Sequence, residues 1–133
     1  MLLDILSRYL ESVELMVNGL KHAYVEKYEE EILTDDRVNL KIRIRFTNGY
    51  LLELNEAVNA EKHTINHLSY RYHFQDDRNR LVFRYDNTPH FPDIESFPHH
   101  KHTKNMVLPG TRPSISDVMA EAMATMNIHN RQE

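Results

Sequence analysis

The sequence contains no cysteine, no long hydrophobic run and no excess of positive charge, and each absence narrows its possible functions. Without cysteine the chain cannot form disulfides, use thiol catalysis or bind zinc through thiolates, and it fits the reducing cytoplasm that we expect as its location. A membrane-spanning helix needs roughly 20 apolar residues, so no membrane association is expected. Because the formal net charge is −4, a nucleic-acid site would have to be a local basic patch.

The residue pattern predicts two helices that flank a set of strands. Apolar residues recur at helical spacing over residues 2–16, and a second helix opens at Pro113, with Ser114 as a candidate N-cap. Alternating apolar and polar residues between them predict the strands. The prediction is therefore an α+β fold, with an antiparallel sheet of about five strands (a meander) and the N- and C-terminal helices packed on one face, in a single domain spanning residues 1–133.

The stretch TNG at residues 47–49 sets the register of the first hairpin. A two-residue Asn-Gly loop would put Glu53 on the apolar face opposite Ile44, whereas a three-residue loop keeps the two apolar sets together. The three-residue loop also places Arg43 opposite Glu53 and Gly49 in the left-handed region. We therefore predict the three-residue loop.

The polar stretch DDRN predicts a four-residue loop for a second hairpin. In this register Arg71 lies near Arg84 and His73 lies near Val82, and Asn79 can take the left-handed conformation in the turn. The strict alternation assigns to the apolar face Leu68, Tyr70, Tyr72, Phe74, Leu81, Phe83 and Tyr85, and to the polar face His67, Ser69, Arg71, His73 and Gln75.

The polar face of the predicted sheet is basic. Its residues are Lys41, Arg43, Arg45, Arg71, His73, Gln75 and Arg84. Placing Arg71 beside Arg84 costs stability unless an anion lies near, either an acidic side chain or an external phosphate. The face is therefore an internally ion-paired surface or an RNA-binding surface in which Arg43, Arg45, Arg71 and Arg84 contact phosphate. The tyrosines predicted on the apolar face argue against base stacking.

Residues 87–110 contain four prolines and are predicted to form a long loop with little regular structure. The loop includes the stretch FPHHKH (97–102). Four interpretations of its histidines, and of His90, stay open. They are zinc ligands with Asp86 or His90 as a third donor, acid–base catalysts, a binding surface without chemistry, or partners for backbone groups that the loop leaves unpaired.

Acid–base catalysis on a phosphodiester needs no metal. A histidine titrates near neutrality and can remove the proton of a ribose 2′-hydroxyl or protonate the leaving oxygen. Cationic side chains stabilise the charge that develops on the phosphoryl oxygens. We expect such a site, with no metal and no cofactor. Its expected catalytic residues are His73 with His99, His100 or His102, and its expected phosphate-binding residues are Arg71, Arg84 and Lys101.

Three blocks in order resemble the TumE toxin family: YRYHFQD (70–76), LVFRYDNTPHFPDI (81–94) and FPHHKH (97–102), followed by a helix that opens with PSISDVM (113–119). The resemblance covers nearly the whole chain. It implies a toxin that inhibits growth when its partner is missing, a cognate antitoxin of helix-turn-helix type, and ribonuclease activity as the usual suspicion for such toxins. The matching motif residues are Tyr72, His73, Arg84, Asp86, Asn87, Pro89, His90, Pro98, His99, His100, Lys101 and His102.

The motif residues near Asp86 have two interpretations. Tyr72, Asp86, Asn87 and His90 could shape an active site, or Asp86 and Asn87 could cap loop amides while Pro89 sets the exit of the strand. The leading hypothesis is a cytoplasmic toxin that acts on RNA as a metal-independent ribonuclease. The alternatives are a non-catalytic protein- or RNA-binding module and a metal-dependent hydrolase.

Overall fold

The computed structural model describes residues 2–131, and within them the fold is α+β, as predicted. The helices are α1 (Asp4–Asn18) and α2 (Ile115–Arg131). The strands are β1 (Ala23–Thr34), β2 (Arg37–Phe46), β3 (Leu51–Glu61), β4 (Thr64–Gln75), β5 (Leu81–Asp86), β6 (His100–Thr103) and β7 (Val107–Pro109). The single domain over residues 1–133 stays a prediction, and residues 1, 132 and 133 lie outside the described part.

The sheet is an open antiparallel meander, since its strand order β1-β2-β3-β4-β5-β6-β7 follows the chain. The meander is confirmed, but the prediction of about five strands was wrong, because the described residues form seven. The two additional strands, β6 and β7, lie inside the segment 87–110 that was predicted to be a loop. They have four and three residues and lie among prolines, so an alternation pattern had too little length to reveal them.

One face of the sheet packs against both helices. The buried stripe of α1 is Leu6, Leu10, Val13 and Val17. These residues join a single hydrophobic cluster with Ile115, Val118, Met119, Ala122 and Met126 of α2 and with alternate residues of the central strands. Burial of this apolar surface is the main term that holds the layers together. No helix within residues 2–131 is long and apolar enough to cross a membrane.

The first hairpin has the predicted three-residue loop. Arg43 pairs with Glu53, and the Phe46 amide donates a 2.9 Å hydrogen bond to the Tyr50 carbonyl oxygen. Gly49 has a φ of 93°, which a residue with a side chain rarely adopts. The demand for one apolar face thus predicted the register correctly.

The register predicted for the second hairpin was wrong. Arg71 pairs with Asp86 and His73 with Arg84, so Arg71 does not lie directly opposite Arg84. The loop has three residues instead of four. Asp76 and Arg80 close it, since the Asp76 amide donates a 2.9 Å hydrogen bond to the Arg80 carbonyl oxygen. A bulge next to Gln75 adds a second one-residue shift, and the two shifts together keep Phe83 and Tyr85 on the core face.

Two bulges also place residues on a different face of the sheet from the one predicted. The pairing of β3 with β4 skips Leu68, which is exposed, and His67 therefore turns to the helix-covered face. In β5 the bulge turns Val82 toward the core instead of Leu81. The predicted left-handed residue of the second turn, Asn79, is confirmed with a φ of 62°.

Candidate functional site

The open face of the sheet brings together two short rows of polar side chains across β4, β5 and β6. In one row Arg71 pairs with Asp86, which pairs with His100. In the next row His73 pairs with Arg84, and Arg84 pairs with His102. The register alone therefore places two histidines of the FPHHKH stretch beside Asp86.

Asp86 is the centre of these rows, and its side chain is only 5% exposed. Its Oδ1 atom lies 2.8 Å from His100 Nε2 and accepts a 3.0 Å hydrogen bond from the Thr88 amide. Its Oδ2 atom accepts a 3.1 Å hydrogen bond from Arg84 Nε and lies 3.6 Å from His102 Nε2. We call Arg84, Asp86, His100 and His102 the Asp86 cluster.

The two histidines of the cluster differ in their surroundings. His100 is almost fully buried, and its Nδ1 lies 2.9 Å from the Pro98 carbonyl oxygen. His102 is partly exposed, and burial together with the nearby Arg84 charge holds its pKa below the ordinary value. The ring of Phe91 lies against both imidazoles, with centroid distances of 5.1 and 5.7 Å.

The Asp86 cluster forms the floor of a cavity of about 370 Å³. Arg71, Thr88 and His90 line its exposed rim. The structure thus brings together Arg71, Arg84, Asp86, His90, His100 and His102 of the predicted site residues. Of these, Asp86, His100 and His102 offer ligand atoms that all lie within 4.8 Å of one another, the arrangement expected of residues that could hold a metal ion.

The other two polar residues of FPHHKH, His99 and Lys101, lie elsewhere, because side chains alternate along an extended strand. Lys101 Nζ lies 2.7 Å from Glu121 of α2 and 5.0 Å from the centre of the Tyr85 ring, on the helix-covered face. Although burial lowers the pKa of Lys101, the Glu121 contact outweighs it and the pKa is raised. His99 stacks on Tyr70, with ring centroids 5.7 Å apart. Neither residue lines the cavity, so their predicted place in one site with His100 is corrected.

His73 lies on the open face beside Arg84 but does not line the cavity. Its Nε2 lies 3.0 Å from Gln75 Oε1, and its Nδ1 is buried without a partner among the described residues. Burial lowers the pKa of His73. The structure therefore separates His73 from the histidines of the Asp86 cluster by the width of β5.

Two residues predicted to shape the site have other contacts. The Tyr72 side chain is fully buried on the helix-covered face. The Asn87 side chain accepts a 3.1 Å hydrogen bond from the Tyr70 amide and donates one of 3.2 Å to the Leu68 carbonyl oxygen. Asn87 thus satisfies backbone groups of strand β4 next to the bulge, instead of the loop amides that the capping interpretation named.

The arginines of β2 are ion-paired within the molecule. Glu26 lies 2.8 Å from Arg43 Nε and 3.2 Å from Arg45 Nε, and the two guanidinium groups lower the pKa of this carboxyl. Glu53 lies 3.8 Å from Arg43. This part of the open face matches the internally ion-paired interpretation, whereas the exposed Arg71 guanidinium has no ion pair or hydrogen bond with residues 2–131.

A second polar cluster, beneath α1, was missed by the sequence analysis. Glu56 is fully buried there and accepts hydrogen bonds from the hydroxyls of Tyr9, at 2.5 Å, and Tyr72. His67 Nε2 lies 3.1 Å from Glu56, and Arg112 Nη1 donates to the Tyr72 hydroxyl at 3.1 Å. We call these five residues the Glu56 cluster. A carboxylate at a core-facing position of β3, between Leu54 and Val58, was the available signal.

The fold and the cluster define a class of protein, a small α+β protein that carries a histidine–carboxylate cavity on the open face of a meander. The family model described as Toxin TumE matches residues 13–129, and the chain belongs to this family. Membership of a toxin family implies a cognate antitoxin as partner. Searches of curated proteins and of solved structures found no match.

Proposed function

We propose that the chain is a toxin that cleaves RNA in the cavity above the Asp86 cluster. One observation carries this proposal: two guanidinium groups, those of Arg71 and Arg84, border the same cavity as the two histidines and the buried carboxylate. Phosphodiester cleavage needs cationic groups at the phosphate and a group that activates the attacking oxygen. The cavity holds both kinds of group on a rigid sheet.

The arginines are available to bind phosphate. Arg71 is exposed and makes no ion pair with the described residues. Arg84 uses Nε on Asp86, which fixes its position and leaves its terminal nitrogens for an anion. A fork of donors of this kind suits the oxygens of a phosphate group. We propose that His73, next to Arg84, helps to position that side chain instead of reacting with substrate.

Two versions of the chemistry use the same cluster. In the metal-independent version expected from the sequence, one histidine removes the 2′-hydroxyl proton and another protonates the leaving 5′-oxygen. The products then carry 2′,3′-cyclic phosphate and 5′-hydroxyl ends. In the metal-dependent version, Asp86, His100 and His102 would hold an ion, which would supply activation of the attacking oxygen.

The experiment is to incubate the purified, antitoxin-free chain with total RNA, with and without EDTA. Alanine variants of Arg71, Arg84 and His102 should cleave at least about 100-fold more slowly, because each removes a group at the phosphate or the reacting oxygen. The matched control is Arg78→Ala, which removes an exposed arginine of the β4–β5 turn. If the folded wild-type chain bound RNA without cleaving it, the non-catalytic binding module would replace this proposal.

The partner is proposed to be a helix-turn-helix antitoxin, as the family resemblance implies. Coexpression of a neighbouring gene of that type should restore growth, and the protein that it encodes should copurify with the chain. Growth that stays inhibited in the presence of a bound partner would contradict its role as antitoxin.

A further inference from the structure

We propose that Asp86, His100 and His102 bind one divalent transition-metal ion at the base of the cavity. The three side chains come from the end of β5 and from β6, which are paired strands. Their ligand atoms all lie within 4.8 Å of one another. Two imidazoles and one carboxylate with open coordination positions form a known metal-binding arrangement.

The distances are close to those of a loaded site. Ligand atoms around a transition metal at about 2.1 Å lie about 3.0–3.4 Å from one another. Asp86 Oδ1 lies 2.8 Å from His100 Nε2, and Asp86 Oδ2 lies 3.6 Å from His102 Nε2. These two contacts use different carboxylate oxygens, and all three ligand atoms lie within 4.8 Å of one another, so partly exposed His102 would move inward to complete the coordination.

The hydrogen bonds of His100 supply a second observation. Its Nδ1 faces the Pro98 carbonyl oxygen, which can only accept, and its Nε2 faces the Asp86 carboxylate. A neutral imidazole has one donor nitrogen and cannot satisfy both contacts. Either a second hydrogen occupies the position between Nε2 and Asp86, or a cation does. A ligating histidine commonly donates its other N–H to a backbone carbonyl, as the Nδ1 contact would allow here.

The ligand atoms and the positive charge of Arg84 limit which ions the site would bind. Imidazole nitrogens favour zinc, copper, nickel or iron over magnesium, calcium and manganese, which prefer oxygen. Arg84 bonds to Asp86 Oδ2, so it competes for the carboxylate and weakens the affinity of the site for a cation. The same positive charge, together with that of the ion, favours a phosphate in the cavity. We therefore expect moderate affinity that a phosphate anion increases.

This inference departs from the expectation that the site contains no metal. It deepens the proposed function by naming the group that activates the attacking oxygen, but binding can be measured without RNA. Each proposal can therefore fail independently of the other.

The test uses the untagged full chain, because a polyhistidine tag would bind the same ions. Calorimetry with Zn²⁺ and the visible spectrum of added Co²⁺ should each give one site per chain. His100→Ala and His102→Ala should each weaken binding at least about tenfold. His63→Ala, which removes an exposed histidine of the β3–β4 turn, should bind as the wild type does. Circular dichroism confirms that each variant is folded.

Binding that is unaffected by both cluster variants, or that falls equally in His63→Ala, would overturn the metal site. RNA cleavage that persists in EDTA, from a chain without stoichiometric binding, would also overturn it and would leave the proposed function intact. Stoichiometric binding without RNA cleavage would support the metal site and contradict the proposed function. Cleavage lost in EDTA and restored by Zn²⁺ would support both.

Discussion

Two buried carboxylates on opposite faces of one sheet, Glu56 and Asp86, each gather histidine and arginine side chains. Glu56 lies beneath α1, and tyrosine hydroxyls and His67 surround its oxygens. Asp86 lies on the open face, and its partners His102 and Arg84 reach a cavity. The comparison shows that burial and polar contacts do not by themselves mark a reactive site. The side chains of Arg112 and Arg84 are similarly exposed, at 28% and 27%, so what separates the two clusters is the cavity that the partners of Asp86 line.

The Glu56 cluster behaves as a closed structural network. Burial by itself raises the pKa of Glu56, but the hydrogen bonds from His67 and the two tyrosines outweigh it, so the pKa is lowered. The pKa values of Tyr9 and Tyr72 are raised, first by burial and then by the adjacent carboxylate. The carboxylate therefore stays ionised while both hydroxyls keep their protons, and α1 is tied to β3 and β4.

The largest effect on stability is expected from Glu56→Ala. This change leaves two buried hydroxyls without their shared acceptor and removes the carboxylate that lies 4.0 Å from Arg112, so it should lower the free energy of unfolding by about 3–5 kcal/mol. Urea denaturation measures it. Glu53→Ala, on the same strand but partly exposed, is the control and should cost less than about 1 kcal/mol. Equal losses in both variants would remove the distinction between the covered and open faces.

Asp86→Asn should affect RNA cleavage more than stability. The amide keeps the shape of the side chain but loses the charge that holds Arg84 and the histidines, so RNA cleavage should fall at least about 100-fold. The stability loss should be about 1–3 kcal/mol, smaller than that of Glu56→Ala. Initial cleavage rates and urea denaturation on the same preparations measure both. A variant that cleaves RNA normally would make the Asp86 cluster as structural as the Glu56 cluster.

The lowered pKa of Glu56 predicts a pH dependence. Because the folded-state pKa of Glu56 lies below the ordinary value of 4.5, ionised Glu56 stabilises the fold above that pH, and the contribution is lost as the pH falls through the folded-state pKa. The difference in free energy of unfolding between the wild type and Glu56→Gln should be largest above about pH 5 and should shrink as the pH is lowered further. A difference that does not change with pH would contradict the assignment. Glu53→Gln serves as the exposed control.

Lys101→Met should have the smallest effect. It tests whether the covered side of β6 is separate from the cavity on its open side. Since Lys101 points to Glu121 and not to the cavity, RNA cleavage should stay within about threefold of wild type, and stability should fall by about 0.5–1 kcal/mol. Arg84→Met, by contrast, should abolish cleavage. A large loss of cleavage in Lys101→Met would place Lys101 back at the phosphate.

The parts of the fold that follow from hydrophobic patterning were predictable from the sequence. Clean alternation and a glycine-containing turn set the β2–β3 register correctly. The β4–β5 register could not be predicted, because a bulged residue looks the same in sequence as a paired one. The same limit concealed the rotation of His67 beneath α1.

Many residues of the candidate site could be predicted from the sequence, but their arrangement in space could not. The sequence indicated that Asp86, His100 and His102 could act together, but it treated FPHHKH as one unit. Once β6 is extended, alternation sends His100 and His102 to the open face and Lys101 to the covered face. The Glu56 cluster joins residues from α1, β3, β4 and the segment before α2, so no local pattern could reveal it.

The agreement of strand order with chain order bears on synthesis of the toxin by the ribosome. Strands β1–β4 can pair as soon as they emerge, because each pairs with the strand made just before it. His100 and His102 lie in β6, so the Asp86 cluster can form only after strands β1–β5 have been synthesised. Assembly of the cavity is therefore tied to a late strand pair, and a nascent chain that has not reached residue 100 lacks both of its histidines.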